Sequence, residues 1–381
     1  VQVMNTAIDR NFDGKLSVEN RYDYLNLNTC RVIWQQVKFP SVTDASNTTT
    51  RILKQGEVQG SDVAAHGVGV VDIKTSILPE TDALFLTVID KYGYELWRWT
   101  FPVDKLNRET EQFSASSGRA SYTETEKGIT VKANGRTFVF SKKDGQLKDV
   151  SVNNRKISFA NGPRFIGARR ADRSLDQFYN HDDEKAKAKD RTYSEFTDAA
   201  VFTKLDVKEE GGNLILTANY KLGNLDKAQW TIHPDGMATL DYTYNFSGVV
   251  DLMGICFDYP EEQVLSKRWL GAGPYRVWQN RIHGTQYDIW ENDYNDPIPG
   301  ETFTYPEFKG YFGSVSWMSI RTKEGTISLT NETPDSYIGV YQPRDGRDRL
   351  LYTLPESGIS VLNVIPPVRN KVNSTDLCGP S

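Results

Sequence analysis

The chain is a succession of short segments in which hydrophobic and polar residues alternate. A period of two is typical of strands that bury one face of a sheet, and β-branched and aromatic residues strengthen that interpretation. Turn-forming pairs such as Asp144-Gly145 separate the segments. The clearest predicted strands are Lys15 to Leu27, Val68 to Ile77, Leu84 to Ile89, Ile129 to Val139, Asn213 to Leu222, Met237 to Phe246 and Gly325 to Leu329.

Helical patterning is nearly missing from the same sequence. One helical candidate, Asp182 to Asp190, is polar all round and predicts an exposed turn of helix or a loop. A (β/α)₈ barrel and a parallel nucleotide-binding sheet both need strands that alternate with amphipathic helices, so both are excluded for this chain. The sequence therefore predicts an all-β fold built from antiparallel sandwiches.

A change in composition divides the chain into two predicted domains. Between Asp104 and Ser121, charged and small residues replace the alternation of apolar and polar positions. We predict one domain over residues 1–113, the size of an immunoglobulin-like sandwich, and a larger many-stranded sandwich over residues 114–381.

Composition excludes several classes of partner. The 381 residues carry a formal net charge of −5, which makes nucleic acid an unfavourable partner, and no apolar run is long enough for a membrane-spanning helix. Cys30, Cys256 and Cys378 have no metal-ligand spacing and form no disulfide framework. We expect two buried thiols and one near the C-terminus, and no cofactor.

One segment has part of the spacing of a calcium loop. Asp9, Asn11, Asp13 and Gly14 match the first, third, fifth and sixth positions of an EF-hand, but Asn20 stands where the bidentate Glu belongs. Because the flanks resemble strands, we favour a hairpin turn over calcium and predict no metal site.

Two further motifs have catalytic alternatives. Asn331-Glu332 is the dipeptide that carries the acid/base carboxylate in many retaining glycosidases, but a strand end entering a turn explains it without catalysis, and we favour the turn. His181 or His283 would be the acid–base histidine of a sugar 1-epimerase, whereas His233 before Pro-Asp-Gly is a predicted turn residue. We assign no catalytic residue to this chain.

The segment from Arg268 to Trp317 is both aromatic and charged. Rings that stack on sugars and charged groups that bind hydroxyls give carbohydrate sites this composition, although the same rings can fill a large core. The candidate carbohydrate-binding residues are Arg276, Trp278, Arg281, Trp290, Glu307 and Tyr311.

The same segment carries a family resemblance. Trp269-Leu270-Gly271-Ala272-Gly273-Pro274, Asn280-Arg281 and Tyr305-Pro306-Glu307, with Gly310 and Trp317, resemble the small-chain domain of family 2 glycoside hydrolases of the β-galactosidase type. Gly14 to Leu27 is similar to the immunoglobulin-like domain that follows the barrel in that family. Arg276 departs from the commonest pattern, which has an acidic residue there.

The resemblance implies an immunoglobulin-like sandwich followed by a galactose-mutarotase-like sandwich. In that family the catalytic carboxylates belong to the barrel, so the implied function is the non-catalytic C-terminal portion of a β-galactosidase-like enzyme that supports the barrel and contacts carbohydrate. The implied partners are a β-galactoside or related glycan and the barrel, in the periplasm or outside a bacterium. The alternatives are a free-standing carbohydrate-binding module and an aldose 1-epimerase-like enzyme.

Overall fold

The chain folds as strands throughout the residues that the structure describes. This computed structural model describes residues 1–43, 49–103, 118–170, 193–196, 198–294, 310–333, 335–340 and 357–367. Within these ranges five antiparallel sheets form sandwich-like arrangements, and the helical residues are two 3₁₀ turns, Leu27–Thr29 and Glu261–Gln263. The predicted all-β class is confirmed. The predicted helix at 182–190 lies outside the described residues.

The strands are numbered here in chain order. They are β1 (Gln2–Val3), β2 (Lys15–Glu19), β3 (Arg31–Lys38), β4 (Arg51–Gln59), β5 (Val68–Asp72), β6 (Ala83–Ile89), β7 (Glu95–Pro102), β8 (Ser121–Glu124), β9 (Gly128–Ala133), β10 (Arg136–Ser141), β11 (Leu147–Val152), β12 (Arg155–Ile157), β13 (Ala160–Arg170), β14 (Tyr193–Glu195), β15 (Val201–Glu210), β16 (Asn213–Lys221), β17 (Leu225–Ile232), β18 (Ala238–Tyr244), β19 (Leu252–Asp258), β20 (Val264–Gly273), β21 (Gln286–Asp293), β22 (Trp317–Thr322), β23 (Gly325–Thr330), β24 (Tyr337–Val340) and β25 (Ile359–Val364).

The first sandwich consists of β1 to β7. Sheet β1-β2-β5 packs on sheet β4-β3-β6-β7, and the apolar positions of alternating strands meet between them. Leu16 and Val18 of β2 point into this core, whereas the intervening Ser17 lies on the outer face. The alternation in the sequence thus buries one face of each sheet.

Strand β6 departs from alternation because both of its faces are covered. Leu84, Leu86 and Val88 belong to the core of the first sandwich, while Ala83 and Phe85 belong to a second cluster on the other side of the sheet. A strand buried on both faces needs a continuous apolar run, and Ala83–Ile89 has one.

The second sandwich consists of β8 to β25. One large sheet, β24-β25-β19-β13-β11-β10-β9-β8 with β12 and β14 attached, forms one layer. Two four-stranded sheets lie on it: β15-β16-β17-β18 packs over the half that contains β9 and β10, and β21-β20-β22-β23 packs over the half that contains β24 and β25. Strands β1 to β7 pair only with one another in the described residues, as do β8 to β25. The boundary predicted at 113/114 falls within residues 104–117, which are not described, and stays a prediction.

The predicted strand Ile129 to Val139 is wrong in one respect. The structure divides it into the hairpin β9–β10, which turns at Asn134 and Gly135, both with positive φ. Asn-Gly is the pair that a two-residue hairpin turn favours, because both residues tolerate that conformation. The sequence could therefore have predicted a turn at this pair, within a segment that otherwise has the pattern of a strand.

The two sandwiches meet in an apolar junction. Val37, Phe39 and Phe85 of the first sandwich pack against Leu270 and Trp317 of the second. We call this cluster, with Ala83 and the polar contacts described next, the junction.

Polar contacts surround the junction cluster. The indole nitrogen of Trp317 donates to the carbonyl oxygen of Pro40 at 3.1 Å. At its edge the Arg98 guanidinium donates to Asp288 at 2.7 Å and to Gln286 at 3.1 Å. Apolar burial combined with directional hydrogen bonds fixes how the two sandwiches meet.

The buried cysteines follow the sequence analysis. Cys30 and Cys256 are free, buried thiols, whereas Cys378 lies outside the described residues. No helix in the described part of the chain is long and apolar enough to cross a membrane.

Candidate functional site

Three of the six predicted carbohydrate-binding residues are buried. Trp278 and Tyr311 pack edge to face, with ring centroids 5.8 Å apart, and belong to an apolar cluster against the large sheet. Val277, between two of these residues, exchanges backbone hydrogen bonds of 2.7 and 2.8 Å with Tyr311. The Arg276 guanidinium lies 5.5 Å from the ring centroid of Phe312. For these side chains the structure corresponds to the core-packing alternative.

Arg281 and Trp290 are the accessible members of that set. Trp290 is half-buried, and its indole nitrogen shares its hydrogen between the carbonyl oxygens of Gly271 and Gln286, each at 3.2 Å. Its ring lies directly over Gly273, where an added Cβ would come within 2.4 Å of it. Arg281 is exposed in a turn closed by its own amide on the Trp278 carbonyl oxygen at 2.9 Å. Glu307 lies outside the described residues.

The other motifs resolve as turns. Asn331 follows β23, and its side chain bonds Ser336 and Thr333, while Glu332 is exposed. His233 closes the β17–β18 turn, as predicted: its amide donates to the Met237 carbonyl oxygen, and its own carbonyl oxygen accepts from the Gly236 amide, each at 2.9 Å. His283 lies in the exposed turn with Arg281, and His181 is outside the described residues.

The calcium-like segment connects β1 and β2. Asp9 accepts a hydrogen bond from the amide of Asn11 at 2.8 Å, and Asp13 accepts one from the amide of Lys15 at 3.0 Å. Gly14 has φ +89°, which the turn requires. Within the ranges given above, no three His, Cys, Asp or Glu side chains are placed to hold a metal ion.

A large concavity lies elsewhere, between the two four-stranded sheets. It is a groove with a volume of about 1820 Å³, lined by the edge strands β18 and β23 and floored by the large sheet, including Phe257 and Val361. It continues over β23 onto the outer face of the second sheet, where Arg268 and Glu291 line it and Val42 of the first sandwich closes it. We call this cavity the groove.

Trp278 and Tyr311 do not face the groove. Leu362 of β25 packs with them, whereas Val361 and Asn363, its neighbours in the strand, line the groove. Successive side chains of a strand point to opposite faces, so these rings lie on the far side of the large sheet.

A pair of tyrosines gives the groove an aromatic wall. The rings of Tyr242 and Tyr244 are parallel within 4°, with centroids 6.1 Å apart, and both are half-buried. Tyr244 donates to the side-chain oxygen of Asn363 at 2.5 Å. Burial raises the pKa of both phenols, so they are neutral donors at physiological pH. The alternation in Thr239–Tyr244 placed both on one face, and that signal could have singled them out.

The second sandwich matches a known protein family. The model of the beta galactosidase small chain matches residues 132–357, which is more than half of the chain. The chain belongs to the beta galactosidase small-chain family. The match suggests that the chain is part of a glycoside hydrolase. No curated protein matches the chain.

Both walls of the groove lie within the small-chain match. The matched residues include β18 with the tyrosine pair and β23 on the opposite side. The first sandwich, residues 1–103, lies outside them. The groove is therefore a feature of the small-chain region, closed at one end by a residue from outside it.

One ionised carboxylate fixes the small-chain wall formed by β23. Glu324, in the β22–β23 turn, accepts hydrogen bonds from the Ser158 amide at 3.0 Å, the Ser158 hydroxyl at 2.6 Å and the Tyr259 hydroxyl at 2.9 Å. Burial opposes its ionisation, but these donors outweigh burial and hold the pKa of Glu324 below its usual range. Burial and the Glu324 charge raise the pKa of Tyr259 to about 12.

Proposed function

We propose that this chain is the non-catalytic C-terminal portion of a family 2 glycoside hydrolase of the β-galactosidase type, and that it supports a catalytic barrel and contacts carbohydrate. The observation that carries the proposal is the small-chain match over residues 132–357. The resemblance of Gly14 to Leu27 to the domain that follows the barrel in that family supports it from outside the matched region.

The junction is consistent with a chain that holds a catalytic barrel in position. Domains that hold a catalytic barrel in place must keep a fixed orientation relative to each other, which a flexible pair of domains cannot do. Trp317, buried between the sandwiches, and Arg98, bound to Asp288 across the boundary, oppose hinge motion. The pair would present one continuous surface to the barrel.

Turnover by the isolated chain tests this proposal. The purified chain, incubated with a nitrophenyl β-galactoside, should give no product above the rate without protein. The Glu332→Gln variant is the matched control, because Glu332 is exposed and its replacement should not disturb folding. Turnover by the wild type that Glu332→Gln abolishes would refute the non-catalytic assignment.

The groove favours a second candidate function, carbohydrate binding by the small-chain region itself. Stacked phenol rings beside an amide and, further along, Arg268 and Glu291 combine apolar faces with hydroxyl-binding groups. Its volume exceeds the roughly 300–1,000 Å³ of typical small-molecule pockets, which suits an extended ligand.

Calorimetry with galactose and with β-1,4-galactobiose tells whether a sugar binds in the groove or at the turn that contains Arg281. If the groove binds sugar, Tyr242→Ala should abolish the heat of binding and Arg281→Ala should leave it unchanged. The reverse pattern would place the site at the turn. Wild-type protein that gives no heat at millimolar sugar would overturn carbohydrate binding by the small-chain region.

A further inference from the structure

The first sandwich exposes four aromatic rings at one end. The exposed fractions are 94% for Tyr24, 71% for Tyr92, 72% for Tyr94 and 41% for Trp97. We call these four residues the aromatic end. They lie outside the small-chain match, so membership of that family assigns them no role. Large exposed rings grouped in this way are typical of an interaction surface.

Hydrogen bonds hold the hairpin that carries two of these rings. The Asp90 carboxylate accepts from the amides of Tyr92 and Tyr94, each at 2.8 Å, and the Asp90 amide donates to the Tyr94 carbonyl oxygen at 2.9 Å. Gly93 adopts φ +91°, which the turn requires. Lys91 lies 4.9 Å from the centroid of the Tyr92 ring. The tip is therefore ordered before any ligand arrives, which lowers the entropic cost of binding.

Trp97 lies between the hairpin tip and the edge of the hydrophobic core. It pairs across the sheet with Val88, a core residue, so its ring lies on the inner face of β7. Trp99 and Phe101, further along the same face, pack against the core. Trp97 is more exposed because it lies at the open end of the sandwich, next to the hairpin tip.

The loop that carries Tyr24 lies beside the same tip. The Cys30 thiol lies 3.9 Å from the Tyr22 hydroxyl. Cys30 directly precedes β3, and Arg31 at the start of β3 pairs with Ile89, the residue before Asp90. Tyr22 therefore lies at the same end of the sandwich as the hairpin tip. Tyr24, two residues further on, extends the exposed aromatic surface from that side.

Charges of both signs surround the aromatic end. Arg21 binds Glu19 at 2.6 Å, and Lys91 and Glu95 are exposed on either side of the hairpin tip. One oxygen of the Asp90 carboxylate accepts from both tyrosine amides. A surface of aromatic rings with balanced charges fits a neutral ligand that has apolar faces and hydroxyl groups better than a strongly charged one.

The aromatic end points away from the junction. Ala83 and Phe85 contact the second sandwich, whereas Asp90 follows the other end of the same strand. The run from Ala83 to Ile89 is about 20 Å long at the rise of a β-strand. A ligand as large as a polysaccharide can therefore approach without meeting the small-chain region.

From these observations we propose that the aromatic end is a platform for a neutral polysaccharide, whose sugar rings stack on Tyr92, Tyr94 and Trp97. Tyr24 extends the platform along the chain of the glycan. The proposal rests on the function proposed above only in that it names a site for the carbohydrate contact, and its test measures polysaccharide binding alone.

Affinity electrophoresis of the full chain tests the platform. The gels contain galactan, xylan or glucomannan as soluble probes. The wild type should be retarded by at least one of them, and Tyr92→Ala/Tyr94→Ala should weaken that binding about tenfold or more. Tyr122→Ala removes an exposed tyrosine outside the platform and should migrate as the wild type does. Trp97→Phe keeps a ring and should bind with an intermediate affinity.

Four results would overturn the platform. The first is a wild type that none of the three polysaccharides retards. The second is a double variant that is retarded as strongly as the wild type. The third is wild-type sedimentation as a dimer that the double variant dissociates, which would make the surface a protein contact. The fourth is loss of retardation in Tyr242→Ala alone, which would instead place binding in the groove.

Discussion

Replacing Trp317 by alanine tests whether the two sandwiches behave as one unit. The ring is 1% exposed and packs with residues of both sandwiches, including Phe85 and Leu270. Removal of a fully buried tryptophan ring costs about 3–5 kcal/mol. Loss of its hydrogen bond to the Pro40 carbonyl oxygen adds about 1 kcal/mol. Much of the loss should fall on the junction, because the hydrogen bond and the packing against Val37, Phe39 and Phe85 cross it.

Hydrogen exchange followed by mass spectrometry measures that loss where it occurs. In Trp317→Ala, peptides that cover Val37 to Phe39 and Ala83 to Phe85 should exchange at least about a hundredfold faster, which corresponds to about 3 kcal/mol. In Trp317→Phe the exchange rates of these peptides should lie between those of the wild type and of Trp317→Ala, because phenylalanine keeps most of the apolar packing and loses the hydrogen bond.

Trp230→Ala is the matched control for that experiment. Trp230 is also buried, but its cluster lies wholly within the second sandwich. Trp230→Ala should destabilise the second sandwich without a selective increase of amide hydrogen exchange at the junction. Unchanged protection of the junction peptides in Trp317→Ala would refute the reasoning, because the junction would then contribute nothing to the contact between the sandwiches.

Three further substitutions probe particular contacts. Glu324→Gln removes the charge that Ser158 solvates. Because the pKa of Glu324 in the folded protein lies below its ordinary 4.5, the wild type should be more stable than the variant above about pH 4.5 and should lose that advantage as the pH falls. Urea unfolding at several pH values measures the difference. Gly273→Ala would bring a Cβ within 2.4 Å of Trp290 and should lower the melting temperature by several degrees with a changed tryptophan spectrum; an unchanged melting temperature would contradict that contact. The fully buried Asn20 amide nitrogen shares its two hydrogens among three carbonyl oxygens, and its side-chain oxygen accepts from the Tyr22 amide. Asn20→Ala removes these contacts and should cost about 2–3 kcal/mol in urea unfolding, whereas a loss below about 1 kcal/mol would contradict their contribution.

The local pattern was sufficient to predict several of the strands. Asn213 to Leu222 alternates apolar and polar side chains, and the structure forms β16 there with Leu214 and Leu216 in the core. Ile129 to Val139 shows the limit of that reasoning. Two strands of the same period on either side of Asn134-Gly135 give one uninterrupted pattern, so only the turn pair marks where the chain reverses.

The candidate site was less predictable than the strands. The aromatic segment was recognisable from composition, but composition does not say on which side of a sheet a ring lies. Trp278 and Tyr311 pack on one face of the large sheet, and the groove with Tyr242 and Tyr244 opens on the other. The groove needs β18 and β23, which are about eighty residues apart, to face one large sheet.

By itself the sequence determined that the chain is all-β and carries the small-chain signature, because strand period, turn residues and motif spacing are local properties. The tertiary structure decided which rings are buried, where the groove lies, and that Trp317 joins the two sandwiches. Those outcomes depend on which sheet covers which face, and that follows from contacts between residues far apart in the chain.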